Sequence, residues 1–506
     1  MKNLIYIATL SVMSMFATSC NDFLTVESPD QLNSESFWRD EADAQAGIAS
    51  AYSQLEYFID TWEFAEVKWP VEAYREDIIN MGNDAMNYQN WVELYNFTYT
   101  NGNSQFSSYW SNNYRGISFA NQVIEKVAEI SDEDIDTDIR EQIVNEAYFL
   151  RAYYHLKLLL NWEEIVVRDV YITDQDQLSK ALSTRTEAWD FIVDDLIQAT
   201  ALPASYDASS LGRATKGAAY SYLGFAYLTR AYEESNSDYF TKAIEAFNSV
   251  TGYTLEGNFA SMFDATNKNC AESIFELQTS MSTANGANYR TQMHRWIGTS
   301  ELAGWDEILP SSFLMETYKK EGKIATTGGY DSRLYDSVFF QDEYFNDGTG
   351  KVYGGDYDDR FQDSNGVAYD RPSFRKFMPS DLDGLSQSYC AINIPLMRYS
   401  NVLLMKAEAL NEKGSTTEAI ALINEVRAAH GDMPAMEGTS QDEVRSQIEH
   451  ERIIEFALEN WRWYDLRRWS KLESALSNVG RSFDASKYSF YPVPLTELNA
   501  NSAISK

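Results

Sequence analysis

Helical periodicity dominates the sequence and restricts the folds that the chain can adopt. Between residues 141 and 160, apolar side chains recur at spacings of three and four: Ile143, Ala147, Leu150, Tyr154 and Leu158. Such spacing places them on one face of an amphipathic helix. Residues 189–199 repeat the pattern, and Thr184 with Glu187 predicts a capping box where that helix begins.

Two further segments have the spacing of tetratricopeptide repeats, in which small residues allow two paired helices to cross closely. In the first, Gly224 lies on one helix and Ala243 on the next. In the second, Ala407 and Ala419 are the small residues. Three or four helix pairs are therefore expected. They flank a stretch at about 255–390 that is expected to form long loops, which inside a compact protein are usually functional.

The formal net charge of −35 excludes two classes of partner. Nucleic acid requires a basic footprint, and an anionic lipid surface would repel the chain. The cysteines Cys20, Cys270 and Cys390 provide neither a disulfide framework nor a CxxC metal pair. Cys270 and Cys390 either form a bridge or remain two buried free thiols.

The first twenty residues predict export and lipidation. Lys2 precedes an apolar stretch at 4–16 that is too short to span a membrane, and Ala17-Thr18-Ser19 leads into Cys20. We expect a lipoprotein signal peptide at 1–19, a lipid on Cys20 and a mature single domain at 20–506. The lipid would be the only membrane attachment. The alternative is an ordinary secretory peptide, with Cys20 incidental.

Blocks spread over nearly the whole chain resemble the SusD-like (RagB/SusD) family. Residues 20–24 resemble its mature start, and EAYFLRAYY at 146–154 resembles its most recognisable helix. IPLMRY at 394–399, the charged and aromatic segment 451–469 and YPVP at 491–494 follow in the family's order. The order of the blocks and their coverage make the resemblance specific.

This resemblance implies an all-α fold of about four tetratricopeptide-like helix pairs in a right-handed superhelical scaffold, at about 40–255 and 390–475. The loop-rich ligand-binding region at about 255–390 would be inserted between them. It also implies a cell-surface lipoprotein of the outer membrane that binds an oligosaccharide or polysaccharide for nutrient uptake. The ligand would be delivered to a TonB-dependent SusC-like transporter, without catalysis.

The first candidate for a glycan contact lies in residues 86–114, which combine nine aromatic residues with seven Asn. That mixture suits a wet face better than a dry core, because each buried amide would need partners. Sugars offer flat C–H faces to aromatic rings and hydroxyl edges to amides. Trp91, Tyr88, Asn87 and Asn90 are the predicted contacts. The alternative is that these rings only pack between helices.

Two more candidates lie in the loop-rich region. Tyr289, Arg295 and an exposed Trp296 would combine ring stacking with hydrogen bonds to hydroxyls, and this region resembles the family's second site-forming loop. A surface ion pair is the alternative for Arg295. Tyr353 and Tyr357, in the insertion at 330–375, form the third and weakest candidate.

Catalytic and metal motifs are missing from the sequence. His155, His294, His430 and His450 form no HExxH motif, and there is no GxSxG or P-loop pattern, so no enzyme activity, metal or cofactor is predicted. Segment 451–469 is expected to carry charge pairs three residues apart along a helix. Two other functions stay open: a helical-repeat scaffold that binds only protein, and a secreted α-helical glycoside hydrolase.

Overall fold

The structure is a computed structural model that describes residues 37–55, 69–282 and 289–504. The predicted signal peptide at 1–19 and Cys20 lie outside these residues. In the described ranges, no helix has both the length and the apolar character that crossing a membrane requires.

Helices account for most of the secondary structure. The α-helices, numbered along the described chain, are α1 (Glu41–Tyr52), α2 (Trp69–Glu72), α3 (Gln89–Asn96), α4 (Ser104–Val127), α5 (Thr137–Leu159), α6 (Arg185–Ala199), α7 (Lys216–Glu233), α8 (Asp238–Asn248), α9 (Met293–Ile297), α10 (Ser312–Lys319), α11 (Ser332–Ser337), α12 (Glu343–Asn346), α13 (Tyr357–Arg360), α14 (Leu382–Ser386), α15 (Tyr399–Glu412), α16 (Thr416–Gly431), α17 (Gln441–Glu455), α18 (Arg462–Arg468), α19 (Leu472–Asn478), α20 (Ala485–Tyr488) and α21 (Leu495–Ala500). Short 3₁₀ helices lie at Ser53–Leu55, Ala85–Asn87, Gln175–Gln177, Phe259–Phe263 and Ser300–Leu302.

Helices α5 and α6 confirm the two periodic runs in the sequence. The carboxylate of Asp136 accepts a hydrogen bond from the N–H of Asp138 and caps α5 at its start. The capping box of Thr184 and Glu187 is present at the start of α6. An ion pair of 2.7 Å between Arg151 on α5 and Asp195 on α6 joins the two helices in the interior.

The two predicted helix pairs are also confirmed, as α7 with α8 and α15 with α16. A Cβ added to Gly224 would lie 2.4 Å from the ring of Phe247, so the small residue permits this crossing. In the second pair, Ala407 and Ala419 are fully buried. The fold is thus mostly helical and built from tetratricopeptide-like pairs.

Short strands link segments that are distant in sequence. They are β1 (Ile79–Met81), β2 (Ser273–Leu277), β3 (Ile308–Pro310), β4 (Val338–Phe339), β5 (Ser373–Phe374) and β6 (Ile394–Arg398). They form the antiparallel pairs β1–β3, β2–β6 and β4–β5. In the first pair, Ile79 lies opposite Pro310 and Met81 opposite Ile308. This pair holds the chain before α3 against the loop after α9.

Charged residues in 451–469 connect different elements, and the predicted ladder along one helix is wrong. Of the expected pairs three residues apart, the structure makes Arg468–Asp465, at 2.9 Å. Arg452 pairs with Asp465 at 2.7 Å, and Arg462 reaches Asp77, far away in sequence, at 2.8 Å. Most of the segment is buried, and a buried charge needs a partner of opposite charge. The partners therefore come from whichever elements pack against it.

Candidate ligand-binding site

The β1–β3 ladder determines where the candidate site lies. Just beyond the ladder, the N–H of Gly82 donates to the carbonyl of Glu307 at 3.0 Å. A Cβ at Gly82 would lie 1.8 Å from the carbonyl oxygen of Asp306, so a side chain here would force the two segments apart. The first and second sequence candidates, more than two hundred residues apart, therefore meet at one place.

Three aromatic rings form a stack there, which we call the aromatic platform: Tyr88, Trp91 and Trp296. The ring centroids of Tyr88 and Trp91 are 4.1 Å apart, and those of Trp91 and Trp296 are 4.8 Å apart, with interplanar angles of 32° and 38°. The ring of Tyr74 lies 6.0 Å from that of Trp91. Such offset, tilted pairs are favourable for aromatic rings, so the stack supports itself.

Exposure changes along the platform from outside to inside. Tyr88 is 40% exposed, Trp91 is half-buried and Trp296 is only 4% exposed. The expectation of an exposed Trp296 is thus wrong, because this ring lies beneath Trp91 and not at the surface. Trp296 can hold the outer rings in place, while Tyr88 and Trp91 present surface to a ligand.

Amide side chains border the platform. The amide of the exposed Asn87 donates to the carboxylate of Asp84 at 2.9 Å, and that of the half-buried Asn90 donates to the hydroxyl of Ser104 at 2.7 Å. Each of these bonds uses one of the amide's donors, and an amide has two donors and an accepting oxygen. Both side chains are therefore held in position and keep capacity for further hydrogen bonds.

A buried carboxyl group lies next to the platform. Glu307 is 2% exposed, and its Oε2 has no hydrogen-bond partner among the described residues. Burial, together with the carboxylates of Asp84 and Asp306, raises the pKa of Glu307 to about 9. Burial and the charges of Glu307 and Asp84 also raise the pKa of the Tyr88 hydroxyl. Glu307 is accordingly a neutral acid at pH 7.

Arg295 joins two loops through its guanidinium. The donors of that group are directed at backbone carbonyls and not at the place where a ligand would bind. Its guanidinium donates to the carbonyl of Gln387 at 2.8 Å, to that of Ser386 at 3.2 Å and to that of Ala303. The surface ion pair considered from the sequence is replaced by these carbonyl contacts. Arg295 thus positions the loop that carries Trp296.

The backbone of the same loop is fixed by Thr291 and Cys390, whose N–H groups and carbonyls bond each other at 2.8 Å. The buried Cys390 and the half-buried Cys270 are both free thiols, so the structure shows no bridge between them. Burial raises the pKa of the Cys390 thiol to about 11.

Tyr289 is not part of the platform. It is 47% exposed and lines a separate groove of about 580 Å³ with Tyr52, Leu211 and Gln278. None of the platform rings lines this groove. The structure therefore separates Tyr289 from Trp296, although the two are close in sequence.

The third candidate is enclosed by its own insertion. Tyr357 is fully buried, and its ring stacks on that of Phe361 at a centroid distance of 4.2 Å. Its hydroxyl accepts from the N–H of Arg371 at 2.9 Å. Tyr353 is half-buried and donates its hydroxyl to the carbonyl of Pro379 at 2.8 Å. These rings pack the insertion, so Tyr357 has no surface to offer a ligand.

Tyr74, Asp84 and Glu307 lie beside the platform, and they are not among the contacts predicted from the sequence. Asp84 lies in a turn with Asn83, and the Gly-Asn-Asp run at 82–84 is the one local signal for it in the sequence. Tyr74 and Glu307 have no local signal. They meet through a hydrogen bond of 3.0 Å from the Tyr74 hydroxyl to the Glu307 carbonyl, which depends on the β1–β3 pairing.

Two other clusters in the described residues have the composition of metal sites: Glu272, His430 and Glu455, and Glu321, His450 and Glu451. In the first, the two His430 nitrogens lie 2.9 Å from Glu455 and 3.0 Å from Glu272. Burial alone would lower the pKa of His430, but these carboxylates raise it to about 9. The charged imidazole has no lone pair for a metal. In the second, Arg427 already pairs with both carboxylates.

Comparison with known proteins covers nearly the whole chain. A family model described as the SusD family matches residues 271–492, and one described as "Starch-binding associating with outer membrane" matches residues 22–228. The SusD-like protein P2 of Formosa agariphila is 29% identical over 98% of this chain and 98% of its own length.

Solved structures share the fold. A SusD superfamily protein from Bacteroides vulgatus has a TM-score of 0.80 at 26% identity, over 93% of this chain and 99% of that chain. A laminarin-binding SusD-like protein has a TM-score of 0.72 at 22% identity, over 92% of this chain and 99% of that chain. The two family models together match most of the chain, and a SusD-like relative aligns over 98% of it, so the chain belongs to the SusD-like family.

Proposed function

We propose that this protein binds an oligosaccharide or polysaccharide at the aromatic platform and catalyses no reaction on it. The observation that carries the proposal is the stack of Tyr88 on Trp91, open to solvent on the Tyr88 side and bordered by Asn87 and Asn90. Rings take the flat faces of a sugar, and amides take its hydroxyl edge. The starch-binding family description and the laminarin-binding relative support this reading.

The proposed role continues at the membrane. Cys20 carries the lipid that anchors the chain to the outer membrane, and the chain faces the exterior. It passes its glycan to a TonB-dependent SusC-like transporter. The support for this part is family membership, since one matching family is described as associating with the outer membrane.

Calorimetric titration tests the binding proposal. The unlipidated mature chain is titrated with a panel of polysaccharides that includes soluble starch and laminarin, beside the variants Trp91→Ala and Trp469→Ala. Trp469 is the matched control, because it is also half-buried and its indole donates to Glu408 at 2.8 Å, away from the platform. We expect Trp91→Ala to lose about 1–3 kcal/mol of binding free energy, by analogy with ring stacking on bases.

Three results would contradict the proposal. Equal losses in both tryptophan variants would mean that the platform is not the binding surface. A chain that ignores every glycan but retains other proteins would favour the helical-repeat scaffold. Release of reducing ends from a bound polysaccharide would favour a hydrolase instead.

A pull-down from outer membranes tests the transport proposal. The tagged full-length chain should retain a TonB-dependent barrel, and Cys20→Ala should move the chain out of the membrane fraction. A chain that stays in that fraction after Cys20→Ala would exclude the lipid as its only attachment.

A further inference from the structure

Two carboxyl groups, those of Asp84 and Glu307, lie beside the aromatic platform. The half-buried Asp84 is fixed at this edge by the amide of Asn87 at 2.9 Å, and the adjacent Tyr88 hydroxyl lies within the influence of its charge. Glu307 lies below, with a buried carboxyl oxygen that has no hydrogen-bond partner in the described residues. Two acidic side chains, Asp84 and Glu307, therefore lie close to the rings that a ligand would contact.

The protonation of Glu307 reports on the electrostatics of this place. Burial is the largest cause of its raised pKa of about 9, and the negative charge of Asp84, a hydrogen bond with the Asp84 carboxylate and the charge of Asp306 add to it. A negative group on a ligand at the platform does not share the burial of Glu307, but it would meet the same negative charge of Asp84, which the Asn87 amide holds at the edge of the rings.

The arginines of the neighbouring loops do not reverse this balance. Arg371 is shared between Glu301 at 3.0 Å and Asp306 at 2.9 Å, which leaves a net negative charge on that group of three. Arg295 directs its donors at the backbone carbonyls of Ala303, Ser386 and Gln387. The chain as a whole carries −35, which adds repulsion at longer range.

We infer that the site selects uncharged glycans and that Asp84 is the residue that excludes uronate or sulfate groups from the platform. This inference rests on the proposed function, because it assumes that the platform binds sugar. It adds the chemical class of the ligand, which follows from the acids beside the rings.

The test compares neutral and charged forms of one backbone. Soluble starch and laminarin are titrated before and after oxidation of their C6 hydroxyls to carboxylates, with alginate and a sulfated galactan as further anionic probes. We expect the oxidised form to bind about 3- to 10-fold more weakly than its neutral parent at low salt. The difference should shrink in 0.5 M NaCl, because salt screens the repulsion.

Asp84→Asn is the discriminating variant, with Glu164→Gln, an exposed carboxylate near Trp162, as the control. Asp84→Asn should bring the oxidised form close to the neutral one, and Glu164→Gln should not. The salt series on the unchanged chain needs no variant and so does not depend on the folding of Asp84→Asn.

Each remaining outcome overturns the inference. Equal affinity for neutral and oxidised forms, or binding to the anionic probes alone, contradicts the selection while leaving glycan binding intact. A chain that binds neither form contradicts the proposed function itself, and the inference falls with it.

Discussion

The aromatic platform keeps Tyr88 open to solvent, whereas the insertion at 330–375 buries Tyr357 completely. In the insertion, Phe361 lies four residues after Tyr357 and their rings stack at 4.2 Å. Four residues after Trp91 comes Tyr95, but its ring lies under the guanidinium of Arg481, at 4.0 Å, and does not cover Trp91. A ring is therefore less available to a ligand when the aromatic residue four positions later packs on it than when that residue packs elsewhere.

The largest expected effect is a loss of stability from a substitution in the insertion that leaves the platform unchanged. Tyr357→Ala removes a fully buried ring and should lower the free energy of unfolding by about 3–5 kcal/mol, as for other large aromatic truncations. Glycan affinity should stay the same, because the ring has no surface for a ligand. Denaturant unfolding and calorimetry check the two parts, and an affinity loss without a stability loss would place Tyr357 in the site.

A second prediction concerns Glu307, the buried acid below the platform. The raised pKa of Glu307 means that the native state keeps this proton up to about pH 9, while the unfolded chain releases it near 4.5. Its contribution to stability is therefore present at low pH and is lost as pH rises. Relative to the wild type, Glu307→Gln should gain about 1–3 kcal/mol of stability between pH 5 and pH 8.

Thermal unfolding of both proteins at several pH values measures this gain. Glu76, whose pKa burial raises to about 8, is present in both proteins and cancels in the difference. A difference between the two proteins that does not change with pH would show that Glu307 is ionised in the native state.

The smallest expected effect concerns Tyr353. Tyr353→Phe removes the hydrogen bond from its hydroxyl to the carbonyl of Pro379, which should cost about 0.5–1.5 kcal/mol of stability. Its glycan affinity should match that of the wild type in the same titration. A weaker affinity would extend the binding surface into the insertion.

The helices could be predicted from the sequence because their signals are local. The capping box of Thr184 and Glu187 lies at the start of the helix that it predicts. The small residues Ala407 and Ala419 lie on the two helices whose close crossing they predict. The prediction of a charge ladder was wrong because the three-residue spacing applies to exposed pairs along one helix. The buried Arg462 pairs instead with Asp77 on a segment distant in sequence.

The site could be predicted only in part for the same reason. Trp91 and Tyr88 were chosen from their local mixture with Asn, and the structure keeps them together in one stack. The position of Trp296 beneath them, and the presence of Glu307, depend on the pairing of β1 with β3 across more than two hundred residues. Nothing in the local spacing of either strand specifies that partner.

Tyr88→Ala tests the central claim most directly, because Tyr88 is the outermost ring and contributes least to the interior. The variant is titrated with the neutral glycan that the wild-type chain binds most tightly in the panel. We predict a loss of about 1–3 kcal/mol, roughly 5- to 150-fold in affinity, with an unchanged melting temperature. Full affinity in Tyr88→Ala would contradict the platform as the place where sugar binds.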